Sequence, residues 1–125
     1  MQVNDVFTIQ RILTQDDFNR FAALSGDDNP IHVDPEFSAR TRFGKTVAHG
    51  MFLYSLICSA LAKFFPNASQ ASQDLMFPAP SFVGEEITIR LRVLESNATA
   101  ARVETMITRP NGEIGCQGET VLRLA

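Results

Sequence analysis

Apolar and polar positions along this chain follow two different periods. From Glu86 onward the period is two: Ile87, Ile89, Leu91 and Val93 alternate with Glu86, Thr88, Arg90 and Arg92. That alternation places one face of a strand on a core and the other in water. Ala101, Val103, Thr105 and Ile107 predict a second strand, and Ile114 to Leu124 a third. Asn111-Gly112 between the last two is a hairpin signal. Pro78 and Pro80 make the segment before these strands irregular or an edge. Val3 to Ile12 alternates loosely, as a short opening strand. Thr14-Gln15-Asp16-Asp17 then reads as a capping box, with Asp17 in place of the usual Glu or Gln. Phe18, Phe21, Ala22 and Leu24 give the helix that follows one apolar face. Asp34-Pro35 opens a second short helix, with Asp34 as N-cap and Pro35 at its first position. The run from Met51 to Phe65 is apolar on nearly every side and ends at Pro66-Asn67. A helix of that kind has to be wrapped by the rest of the fold. Strands in antiparallel series plus one buried helix predict an α+β fold, with the sheet curled around that helix.

Composition narrows the picture. A chain of 125 residues is long enough for one core and too short for two domains. The net charge of -3 comes without a basic stripe or a run of like charges, which argues against nucleic acid as a partner. Met1-Gln2-Val3-Asn4-Asp5 has neither the positive region nor the apolar core of a signal peptide. No apolar stretch reaches the roughly 20 residues that span a bilayer. Cys58 and Cys116 lie in apolar patterns, far from any metal-like spacing. Reduced thiols in a cytoplasmic protein, with no metal and no membrane, are the expectation.

The candidate chemistry is concentrated in Ser25-Gly26-Asp27-Asp28-Asn29-Pro30-Ile31-His32. Gly26 lets the backbone leave the preceding helix through a left-handed cap. Pro30 fixes its own φ and pushes Asn29 away from helical geometry. Asp27 and His32 therefore sit on a bent, restrained segment that can aim both side chains into one pocket. A carboxylate and an imidazole form a common acid–base pair at neutral pH. Ordinary turn chemistry explains each of the polar residues singly. His32 stands out because Ile31 and Val33 flank it, which predicts partial burial and a hydrogen-bond partner, a nearby carboxylate being the obvious one. Gly50 stands at the start of the long apolar helix, where free N–H groups and the helix dipole favour negative charge. It suits either close approach of a substrate oxygen or tight packing. His49 beside it suits a role in orienting the loop.

Together these residues resemble the MaoC-like, (R)-specific enoyl-CoA hydratase family (hydratase 2). The resemblance runs through Phe21-Ala22-Ala23-Leu24-Ser25-Gly26-Asp27-Asp28-Asn29-Pro30-Ile31-His32, Asp34-Pro35-Glu36-Phe37 and Ala48-His49-Gly50-Met51. It continues in Phe77-Pro78-Ala79-Pro80-Ser81-Phe82-Val83-Gly84-Glu85, and so covers roughly residues 5 to 124. It implies a single hotdog domain over residues 1–125, pairing as a homodimer or an oligomer of dimers. It also implies syn addition of water to a trans-2-enoyl thioester, or the reverse dehydration. Coenzyme A or acyl carrier protein would carry the acyl group, and no further cofactor is called for. Under the resemblance Asp27 and His32 hold and activate the water, the Gly50 N–H donates to the thioester oxygen, and Asn29 and His49 support the loop. One departure is Phe65-Pro66-Asn67-Ala68-Ser69-Gln70-Ala71-Ser72, where relatives often carry a glycine-rich connection; this leaves the acyl-length preference open. A hotdog acyl-CoA thioesterase and a non-catalytic acyl-thioester-binding subunit are the alternatives.

Overall fold

In the computed structural model, which describes residues 1–125, the alternating segments pair into one antiparallel sheet. The elements run β1 (Val6–Ile12), α1 (Gln15–Ser25), α2 (Pro30–Val33), α3 (Pro35–Ala39), α4 (Gly50–Phe64), β2 (Ala68–Gln73), β3 (Glu86–Ser96), β4 (Ala100–Thr108) and β5 (Ile114–Leu124). The spatial order of the strands is β1-β3-β4-β5-β2. Ile89 lies opposite Ile9 on one side and Ile107 on the other. Register and pleat together put Ile87, Ile89, Leu91, Val93, Val103 and Ile107 on one buried face.

That face packs on α4, which contributes Phe52, Leu53, Leu56, Ile57, Ala60 and Leu61 to the core. Full burial of each large side chain there stabilises the fold by about 1.5–3 kcal/mol. The sheet, however, covers only one side of the helix. Met51 is 54% exposed, Ser55, Ser59 and Ala62 are also exposed, and Tyr54 and Cys58 are half-buried. Wrapping on every side, as the composition of this run suggests, is therefore not achieved by the single chain. The open face borders β2, since Tyr54 Oη and Cys58 Sγ both lie against Gln70 Oε1, at 3.3 and 3.5 Å.

Strand β2 is the element the hydropathy pattern does not foretell. Its sequence, Ala68-Ser69-Gln70-Ala71-Ser72-Gln73, has no apolar alternation, because it is an edge strand that is mostly exposed. Two glutamines tie it to the sheet. Gln70 Nε2 donates to Thr120 Oγ1 (3.1 Å) and Gln73 Nε2 to Thr105 Oγ1 (3.0 Å), which also satisfies two threonines buried in the core. The Pro78–Pro80 stretch is irregular, as expected, and runs beside β5 with Ala79 N–H bonded to Ile114 O.

The caps form where the sequence places them. Thr14 and Asp17 close a reciprocal box at the start of α1, and Asp34 caps α3 through the N–H groups of Glu36 and Phe37. Within α1, Phe18 and Ala22 are buried and Phe21 partly so. Leu24 is 85% exposed; six residues after Phe18, it sits roughly 120° around the helix from that ring and so falls off the stripe.

Candidate active site

Two breaks in helical geometry build the loop between α1 and α2. Gly26 closes α1 in the left-handed region, with φ of 82°, and its N–H bonds Ala22 O. Asn29 opens α2, its Oδ1 accepting from Ile31 N–H at 3.1 Å, with Pro30 in the first position. The single turn of α2 swings His32 back toward Asp27, leaving His32 Nε2 and Asp27 Oδ2 3.8 Å apart. The imidazole of His32 is 12% exposed and the carboxylate of Asp27 56%.

The direct partner of His32 is not the carboxylate. His32 Nδ1 lies 2.7 Å from Val47 O. A carbonyl only accepts, so Nδ1 carries the proton and Nε2 presents a lone pair. Sequence reasoning had no access to this contact, since it uses a backbone oxygen fifteen residues away. Gln15 and Thr46 contribute in the same non-local way. Gln15 Nε2 donates to His32 O (2.9 Å), and its Oε1 accepts from the buried Thr46 hydroxyl (2.6 Å). Val47 N–H in turn donates to Ile31 O. These bonds fasten α2 to the extended segment before α4.

That segment delivers His49 and Gly50. His49 is 2% exposed, and its Nε2–H donates to the backbone oxygen of Asp27 at 2.9 Å. Its ring stacks on His32 with centroids 3.8 Å apart and planes 20° from parallel. Burial holds the His49 imidazole below the usual range, opposed by its bond to Asp27 and reinforced by His32 nearby. Donor atoms of Asp27, His32 and His49 lie within 4.8 Å of one another. Near-parallel rings keep their in-plane lone pairs in separate layers, so the two histidines do not converge on one ion as metal ligands must.

Gly50 starts α4, and the helix has no side-chain cap. Phe52 and Leu53 N–H both bond His49 O, while the Gly50 N–H donates to no group of the chain. A side chain at Gly50 would meet the ring of Phe77, whose Cζ lies 3.0 Å from the position of a Cβ. Tight packing is therefore one reason for this glycine, whatever else it does. Beside it lies a cavity of about 280 Å³ lined by Phe43, Ala48, Leu53, Phe77 and Ser81. A larger hollow of about 430 Å³, between Asp74 and Glu104, contains none of the groups described above.

The chain is 39% identical over 108 residues to the (R)-specific enoyl-CoA hydratase of Aeromonas caviae, covering 83% of this chain and 81% of that one. The solved (R)-hydratase from A. caviae superposes with a TM-score of 0.95 at 32% identity, over 100% of this chain and 98% of the other. The unliganded R-hydratase of Pseudomonas aeruginosa gives 0.95 at 30% identity, over 99% and 82%. Residues 4–112 match the family described as the MaoC like domain. With the paired Asp27 and His32 on their bent loop and the fold of the R-hydratases, this chain belongs to the MaoC-like dehydratase family.

Proposed function

We propose that residues 1–125 act as one MaoC-like hotdog domain, an (R)-specific enoyl-CoA hydratase that adds water to a trans-2-enoyl thioester and runs in reverse as a dehydratase. The observation that carries this reading is the facing of two lone-pair donors, Asp27 Oδ2 and His32 Nε2, at 3.8 Å. They are too far apart to share a proton directly and close enough for one water to donate to both. As the water oxygen bonds C3, a proton passes to the pair and the C2=C3 electrons move onto the thioester oxygen. The free N–H of Gly50, at the positive end of α4, supports a role in stabilising that oxygen. C2 then takes a proton from the same pair, so both additions occur on one face. The two groups act as a coupled unit. Asn29, as cap of α2, and His49 are the supporting residues.

The carrier is coenzyme A or acyl carrier protein, and no redox cofactor is called for, because hydration changes no net oxidation state. The open face of α4 and the unpaired edge of β2 favour a homodimer, since exposed strand edges are otherwise a liability. Two free cysteines fit a cytoplasmic protein, and no helix is long and apolar enough to cross a membrane.

Loss of enoyl absorbance on incubation with short trans-2-enoyl-CoA tests the reading. The parent protein consumes the substrate and Asp27→Asn does not. An inactive parent with both coenzyme A and acyl-carrier-protein substrates would instead favour a binding subunit.

A further inference from the structure

His49 touches both members of the acid–base pair through different parts of one ring. Its Nε2–H holds the Asp27 backbone at 2.9 Å, and its face lies 3.8 Å from the face of His32. Its other nitrogen, Nδ1, is buried with no hydrogen-bond partner. The Phe21 and Phe18 rings from α1 pack against it, with centroids at 4.9 and 6.5 Å. A proton on Nδ1 would have no acceptor among the groups of the chain, and it would set a cation against the face of His32.

The titratable groups on the elements packed around this ring are few. Asp27 comes from the loop and His32 from α2. From β1, Arg11 lies over the Phe52 ring at 5.4 Å and is already paired with Asp17 of α1 at 2.7 Å. None of these offers Nδ1 a bond.

Resting on the hydratase reading, we infer that His49 is a positioning residue whose ring stays neutral throughout the reaction, its Nε2–H fixing Asp27 and its face fixing the plane of His32. His32 is then the one imidazole at the site that exchanges a proton. The pairing also explains why a histidine stands where the fold would accept a hydrocarbon ring. Phenylalanine would supply the face without the tether, and glutamine the tether without the face.

The chain contains only two histidines, so imidazole nitrogen NMR resolves them, with His32→Gln giving the assignment. On acidification, His49 should keep the Nε2–H neutral form as pH falls through the usual 6.5. Uptake of a proton by His49 at or above the usual 6.5, or a proton resident on its Nδ1 at neutral pH, overturns the inference. This measurement needs no substrate, so it stands apart from any failure of the hydratase reading. In turnover, His49→Phe and His49→Gln should each lower kcat about 10- to 100-fold, as misplacement of a catalytic group does, with KM within about twofold. Either variant retaining parental kcat would equally overturn the inference. So would losses of activity that follow only the fraction of unfolded protein.

Discussion

Asp27 and His32 are held by different means. Asp27 hangs on a short loop whose backbone oxygen is bonded by His49, while His32 is anchored by a 2.7 Å bond from its Nδ1 to Val47 O. Asp27→Asn keeps the shape but removes the negative charge, and His32→Ala removes the lone pair. Each should lower turnover by about two to four orders of magnitude while leaving the fold in place. The double variant should be little worse than either single one, because groups that act as a unit are non-additive. Steady-state kinetics of the three variants checks this, and near-parental turnover by either single variant would remove the pair from the mechanism. The two cysteines differ just as sharply. Cys58 is half-buried on the open face of α4, whereas burial pushes the Cys116 thiol up to about 11, so a thiol reagent at neutral pH should leave Cys116 unlabelled in the native protein, as peptide mapping would show.

Elements succeed or fail to be legible according to what specifies them. Helix α4 is specified by its core face, and Ile57, fully buried at its centre, is the sharpest test. Ile57→Ala should cost about 2–5 kcal/mol in denaturant unfolding. A loss below about 1 kcal/mol would mean that the helix does not carry the core. The same pattern made β3, β4, β5 and both α1 caps readable, since period and capping chemistry are local. The loop from Gly26 to Pro30 was readable for the same reason: it is built from residues with restricted or unusual φ. Strand β2 was not. Its specification lies in Gln70 and Gln73 reaching Thr120 and Thr105 on other strands, and no local pattern encodes such a pairing. The anchor of His32 on a distant carbonyl was hidden in the same way, as was the Phe77 ring over Gly50. Leu24 differs in the other direction: it is three residues from Phe21, but roughly 120° around the helix from the buried Phe18.

At the scale of the whole molecule, burial of His49 links stability to pH. Its folded value lies below the usual 6.5, so as pH falls the unfolded chain binds the proton first. The stabilisation is present in full above about 6.5 and is lost as pH falls through the lowered folded value. Urea midpoints across this range should fall with acidity in the parent and fall less steeply in His49→Phe. Equal slopes would contradict the burial of a neutral His49. Sedimentation should give twice the mass of one chain if the open face of α4 and the edge of β2 are covered by a second copy, and a single-chain mass at micromolar concentration would contradict that pairing. The most direct test of the account as a whole is the fate of a trans-2-enoyl-CoA. With water held by Asp27 and His32 and the carbonyl oxygen at Gly50, the oxygen adds at C3 and the C–S bond survives. Chiral analysis of the product, run in the same reaction as a thiol-reactive dye, should find (R)-3-hydroxyacyl-CoA and no free thiol. Stoichiometric release of coenzyme A, or product of predominantly S configuration, would contradict it.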